Sequence, residues 1–186
     1  MINFMNNNRQ IIGTLSILAM FAVWSNAANA SENRLNDSNI VSTEGSEATQ
    51  VAKSLSMAKE DQLEKYKNAI TLSDTDLKNL LALVGFKGQN LKEAWAVAKK
   101  ESGGRPLALN NSKRTGDSSY GLFQINMIGD LGPDRRDKFN LESNVELFNP
   151  VLNAQVAYHM SDGGKDWTAW KGITPKVKSL MRNFPN

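Results

Sequence analysis

The sequence contains no cysteine in 186 residues. That excludes a disulfide framework, a thiolate metal site and a cysteine nucleophile. It has a single histidine, His159, which excludes histidine-rich metal sites and makes a Ser-His-Asp triad improbable. His159 is assigned no role. Charge of one sign is also scarce: 22 basic residues face 19 acidic ones, for a net charge of +3. Residues 31–90 hold 7 basic and 9 acidic side chains, and residues 91–186 hold 14 and 10. The basic residues are scattered singly and in pairs, without the stripe that nucleic-acid binding requires, so no nucleic-acid partner is expected. A mildly basic C-terminal half would tolerate an anionic polymer. The chain shows no internal repeat.

A long apolar run is missing too. Ile11–Trp24 is apolar or small throughout, but its 14 residues fall short of the roughly 20 that a membrane-spanning helix needs. Arg9 precedes the run, and the small-x-small pattern Ala28-Asn29-Ala30 follows it. Residues 1–30 therefore read as a secretory signal peptide cleaved after Ala30, with a membrane anchor as the rival reading. The expected location is exported, periplasmic or extracellular. An exported chain without cysteine fits a bacterial envelope.

Residues 31–47 are polar and cannot bury enough surface to offset chain entropy, so they read as a linker. From Ala48 to Ile70 the pattern is helical, with Val51, Leu55, Ala58, Gln62, Tyr66 and Ala69 spaced by threes and fours. Residues 31–72 are thus a polar linker and an accessory helix, and residues 73–186 are the main domain.

In that domain Ser73 reads as an N-cap, with Asp74 and Asp76 favoured in the first turn. Leu77, Leu80, Leu81 and Val84 form the buried face, and Gly85 ends the helix. A second helix over 91–101 carries Leu91, Ala94, Trp95 and Ala98 on one stripe. One further step of three reaches Glu101, just before Ser102-Gly103-Gly104 stops the helix. A helix C-terminus and partial burial both disfavour a carboxylate anion. An exposed terminal Glu aligned by chance is the alternative. Residues 105–140 read as loop-rich, with YGLFQIN a short strand or extended segment. Asn149-Pro150 predicts a helix to Met160, DWTAW one helical turn, and Thr174-Pro175 a last helix burying Val177, Leu180, Met181 and Phe184. The fold class is mainly α, with a small extended patch.

The segments AWAVAKKESGG, SSYGLFQIN, FNPVLNAQVAYHMS and GGKDWTAW together resemble the soluble-lytic-transglycosylase type of domain in the lysozyme-like superfamily. The likeness covers residues 76–172 and is greatest to phage and envelope-associated versions. It implies an α+β lysozyme-like fold with a glycan cleft, no cofactor, and peptidoglycan glycan strands as partner. Envelope or virion assembly partners would use residues 31–70. The implied activity is cleavage of the β-1,4 MurNAc–GlcNAc bond with formation of 1,6-anhydro-MurNAc ends. Glu101 matches the catalytic acid and base.

Glycosidic cleavage needs a proton for the leaving oxygen while the sugar becomes oxocarbenium-like. A partly buried carboxyl group can hold that proton, a pattern for which the standard example is lysozyme itself. The resemblance makes the GLFQI segment one wall of the cleft. Gly121 would let backbone approach a sugar, and Gln124 would bond either the glycan or its own loop. Ser102, Ser119, Tyr120 and Asn126 join them as candidate substrate-binding residues. Tyr158 is the candidate for a tyrosine reaching toward the acid, although the full Ala-Tyr-Asn-Ala-Gly pattern is absent. Of Trp167 and Trp170, one is expected in the core and one in the cleft.

Animal-type lysozymes carry an aspartate just before Tyr-Gly, where this chain has Ser119. A serine without a nearby histidine is not an activated nucleophile. Transglycosylation dispenses with one, because the substrate's own C6 hydroxyl closes on C1. Asp117 shares the face of Ser119 in an extended segment and is the candidate second carboxylate for an inverting hydrolysis. A turn-forming role in Thr-Gly-Asp is its alternative. Two other functions compete: a hydrolytic muramidase using Asp117, and a silent glycan-binding or virion structural module.

Overall fold

The structure, a computed structural model, describes residues 44–112 and 116–186. The signal segment and most of the linker lie outside the described residues. The first helix, α1 (Glu44–Lys67), begins before the expected Ala48 and includes the end of the assigned linker. Its anchoring also differs from the expected stripe. Only Leu63 and Tyr66 are buried, while Val51 and Leu55 are 57% and 66% exposed. Of the expected stripe only Tyr66 docks, joined by Leu63 beside it. The C-terminal end of α1 docks against the helices that follow, and the half before it stands in solvent. Among the described residues no helix is long and apolar enough to cross a membrane.

The next helix, α2 (Asp74–Val84), begins as its sequence requires. The Ser73 hydroxyl accepts from the Asp76 amide at 3.0 Å, and the Asp76 carboxylate accepts in return from the Ser73 amide and hydroxyl. This reciprocal box satisfies donors that a helix start leaves open. Leu77, Leu80 and Leu81 are buried, Val84 is half-buried, and Gly85 caps the end.

Helix α3 (Gly88–Ser102) starts three residues before the expected Leu91 and runs through the middle of the core. Ala94 to Ala98 are all buried. Five consecutive buried residues exceed what one stripe predicts, because α2 packs on one side and the C-terminal helix on another. Trp95 donates its indole N–H to the Asp74 carbonyl at 3.1 Å, and Lys99 pairs with the Asp74 carboxylate at 2.7 Å. These contacts lock α3 to the start of α2. At its far end Gly103, with φ 71°, adopts the left-handed cap, fixing where Glu101 emerges.

A three-stranded antiparallel sheet follows, in the order β1 (Leu109–Asn110), β2 (Ser119–Tyr120), β3 (Ile125–Asn126). Asn110 pairs with Ser119, and Ser119 with Asn126. The expectation of loop up to residue 140 needs correction, since Leu131–Phe139 forms helix α4. Its sequence, LGPDRRDKF, buries only Gly132, so there was no apolar period to read.

Helix α5 (Pro150–Met160) has the expected bounds. The Asn149 side chain accepts from the Val151 and Leu152 amides, and Pro150 occupies the first position, where it needs no amide donor. Thr168–Trp170 is a short 3-10 turn. The last helix, α6 (Pro175–Leu180), is capped by Thr174, buries Val177 against α3, and passes into a 3-10 turn at Met181–Asn183. Leu180, Met181 and Phe184 are half-buried against the core.

Candidate active site

A cleft of about 420 Å³ opens between the end of α3 and the sheet. Helix α3 contributes Lys100 and Glu101, the sheet region contributes Asn110, Asp117, Ser119, Gln124, Ile125 and Asn126, and Trp170 and Lys171 follow from the 3-10 turn. Arg135 from α4 and Met160 from α5 also line it.

The Glu101 side chain is 22% exposed, half sunk at the cleft edge. Its Oε1 lies 2.7 Å from the Lys100 ammonium, which also donates to the Trp170 carbonyl at 3.1 Å. The sequence reading had no cation here. The carboxyl group thus sits half-buried at a helix end with an ammonium on one oxygen.

Across the sheet, Asp117 is held on both oxygens. Its Oδ2 accepts from the Asn110 amide at 2.7 Å, and its Oδ1 accepts from the Ser119 hydroxyl at 2.5 Å. Its backbone also closes the hairpin, exchanging two hydrogen bonds with Ser112 at 3.1 Å each. Asp117 is thus both a turn residue and a cleft residue, and Ser119 spends its hydroxyl proton on it.

The turn carrying GLFQ is fixed from below by α5 and Trp170. Asn153 is wholly buried, and its Oδ1 accepts from the Phe123 amide while its Nδ2 donates to the Tyr120 and Leu147 carbonyls, each at 2.9 Å. The Trp170 indole donates to the Phe123 carbonyl at 2.7 Å. Buried polar groups of a turn must find partners, and one amide and one indole supply them here.

Gly121 answers to this clamp rather than to a sugar. Its φ is 73°, and a Cβ there would stand 2.3 Å from both Asn153 Nδ2 and Leu147 O. Gln124, with φ 48°, lies in the left-handed region, which is uncommon for a residue with a side chain. Its amide donates to the Gly121 and Ala108 carbonyls at 3.0 and 3.1 Å, so the amide nitrogen serves its own loop while the residue lines the cleft.

The other candidates separate. Ser119, Asn126 and Trp170 line the cleft with Glu101, Gln124 and Asp117. Ser102 does not: it is 3% exposed, donates to Ala98 O, and accepts from the Gly104 and Arg105 amides. That hydroxyl shapes the turn after Glu101. Tyr120 packs on Phe148, with ring centroids 5.4 Å apart, outside the cleft lining. Tyr158 lines a separate depression with Gly85, Asn90 and Gly163, its ring edge-on to Phe86. Trp167 is absent from the cleft lining and packs in the core with Phe86 and Phe123, centroids 6.1 and 6.3 Å away, while Trp170, also buried, borders the cleft. Exposed His159, edge-on to Phe139, stays below its usual protonation range through burial of the ring and the nearby Lys138 charge.

Lys100, Asn110, Arg135, Met160 and Lys171 were missed as cleft residues. Lys100 had a sequence signal, since it adjoins Glu101. Arg135 had none, because α4 has no apolar period and its place against the cleft depends on the tertiary fold.

A family model described as "Lysozyme like domain" matches residues 78–172, just over half of the chain. The chain belongs to the lysozyme-like domain family. No curated protein matches it. The matched span of this lysozyme-like domain runs from α2 to just beyond Trp170, and so includes Glu101, the GLFQIN turn and Asn153. It is a domain of the lytic-transglycosylase type. Membership assigns the coarse activity: cleavage of glycosidic bonds in peptidoglycan, by hydrolysis or by transglycosylation.

Proposed function

We propose that the domain is a lytic transglycosylase. It cuts the β-1,4 bond between MurNAc and GlcNAc and leaves 1,6-anhydro-MurNAc ends. Glu101 first gives its proton to the leaving oxygen. As its anion, steadied by Lys100, it then takes the proton of the C6 hydroxyl, which closes on C1. The bond from C1 to the leaving oxygen breaks and the bond from C1 to O6 forms, so Glu101 ends protonated as it began.

The observation that carries this reading is the state of the other carboxylate. Asp117 already accepts a hydrogen bond on each oxygen, from Asn110 and from Ser119, and Ser119 has no histidine beside it to activate it. An internal hydroxyl, already tethered to the reacting sugar, needs no protein nucleophile. A second reading, inverting hydrolysis with Asp117 holding the water, is favoured by Asp117 lying in the same cleft as Glu101.

The substrate lies outside the cytoplasmic membrane, and residues 1–30 have the pattern of an export signal. The proposed site of action is therefore the envelope, with a mature chain starting at Ser31. N-terminal sequencing of protein recovered from outside the cytoplasm tests this, and an intact Met1 end embedded in membrane would contradict it. For the chemistry, Glu101→Gln keeps the side chain's size but carries no acidic proton. It is expected to lose cleavage by ~10²-fold or more while melting like the parent. A Glu101→Gln protein that still clears peptidoglycan at the parent rate would remove the assignment.

A further inference from the structure

The cleft holds a cation whose charge the proposed chemistry does not use. Arg135 comes from α4, is half-buried, and lines the same cleft as Glu101. Among the described residues its one hydrogen-bond acceptor is the Asn126 backbone carbonyl, a neutral group. Among the described residues no carboxylate lies within ion-pair distance of it. Lys171, exposed at the left-handed position after Trp170, also lines the cleft, and among the described residues it has no ion-pair partner. The cleft's two carboxylates are otherwise engaged, Glu101 by Lys100 and Asp117 by Asn110 and Ser119. Burial pushes the Arg135 guanidinium below its ordinary range, so its charge is held there at a cost. A guanidinium presents five donors in a planar fork that matches a carboxylate, and the carbonyl of Asn126 occupies only part of it.

We propose that Arg135 is a specificity-determining residue that binds a carboxylate of peptidoglycan, with Lys171 reinforcing the positive side of the cleft. The inference rests on the peptidoglycan reading above and sharpens it. The glycan backbone is neutral except at its muramic acid residues, whose lactyl groups carry a carboxyl. That carboxyl is free where the peptide has been removed and amide-bonded where it is present. The peptide stems carry carboxylates of their own. Either source offers the same ligand chemistry, and neutral sugar polymers offer none. A cleft built this way selects muramic-acid glycan over an uncharged β-1,4 glycan.

The test measures binding, using Glu101→Gln protein so that nothing is cut. The three probes are peptide-bearing glycan strands, the same strands with stems removed, and stem-free strands whose lactyl carboxylates have been converted to methyl amides. Adding Arg135→Gln is expected to weaken binding to a carboxylate-bearing probe by about tenfold or more, the size of a charge-assisted hydrogen bond in a partly buried site. The amidated strands should lose far less. Loss on the stem-free strands assigns the ligand to the lactyl carboxylate. Loss confined to peptide-bearing strands assigns it to the stem. Arg135→Lys should recover part of the loss. Salt provides a check that needs no substitution at Arg135: affinity for the charged strands should fall with ionic strength more steeply than affinity for the amidated ones. Equal losses on charged and amidated strands, together with equal salt dependence, would overturn the proposal and leave glycan binding standing. Failure of the Glu101→Gln protein to bind any of the three would overturn the peptidoglycan reading itself.

Discussion

The two walls of the cleft hold their carboxylates in different ways. Glu101 stands at the end of a long buried helix, with one ammonium on one oxygen and cleft on the other side. Asp117 stands on a hairpin arm, with a neutral donor on each oxygen and a backbone that closes the turn. The first leaves one side of the carboxyl group open to the cleft. The second fixes the side chain in place through both oxygens. Two acids in one cleft are therefore not two equivalent catalysts. In the proposed mechanism the helix wall carries the proton, and the sheet wall carries shape.

That shape depends on Asn153, and removing it is the strongest way to break the comparison. Asn153→Ala deletes three hydrogen bonds, two of them buried, and takes their partner from Phe123 N, Tyr120 O and Leu147 O. The expected loss is about 3 kcal/mol or more, since each stranded buried group costs ~1–3 kcal/mol. Thermal melting would show it, and turnover should fall as Gln124 and Ser119 lose their support. A variant that melts with the parent would mean that the aromatic packing of Phe123 on Trp167 and Trp170 holds the wall alone.

A smaller effect sharpens the comparison between the carboxylates. Asp117→Asn keeps the size of the side chain and can keep the bond from Ser119. It should leave turnover within about tenfold of the parent, whereas loss of a true general base costs ~10²–10⁴-fold. A loss of that larger size in a variant that melts normally would move Asp117 from shaping the wall to activating water.

The sequence showed the helical frame where local rules govern it. Ser73 with Asp76, Asn149-Pro150 and Thr174-Pro175 are caps, and caps are written in adjacent residues. The stripe of Leu91, Ala94, Trp95 and Ala98 pointed one step on to Glu101 because α3 stays regular to its last turn. Helix α4 was not legible, because a helix that buries only Gly132 has no period to detect. The docking face of α1 was read in part, since Tyr66 of the stripe is buried but its partner is Leu63 beside the stripe, while Val51 and Leu55 stay exposed. In the site, Gly121 was seen and its reason missed. The close neighbour that forbids a Cβ is Asn153, thirty-two residues away in sequence. Arg135 was not legible for the same reason, because a residue's place in a cleft is a property of the assembled fold.

The central claim is that Glu101 works with the substrate's own hydroxyl and not with a water held by Asp117. Mass analysis of the fragments released from peptidoglycan tests it directly, because the two products differ by one water. The account predicts muramyl fragments that end in a 1,6-anhydro ring, one water lighter than their hydrolysed counterparts, with Asp117→Asn giving the same products. Fragments that carry reducing ends, from the parent protein and from the first turnovers, would contradict it.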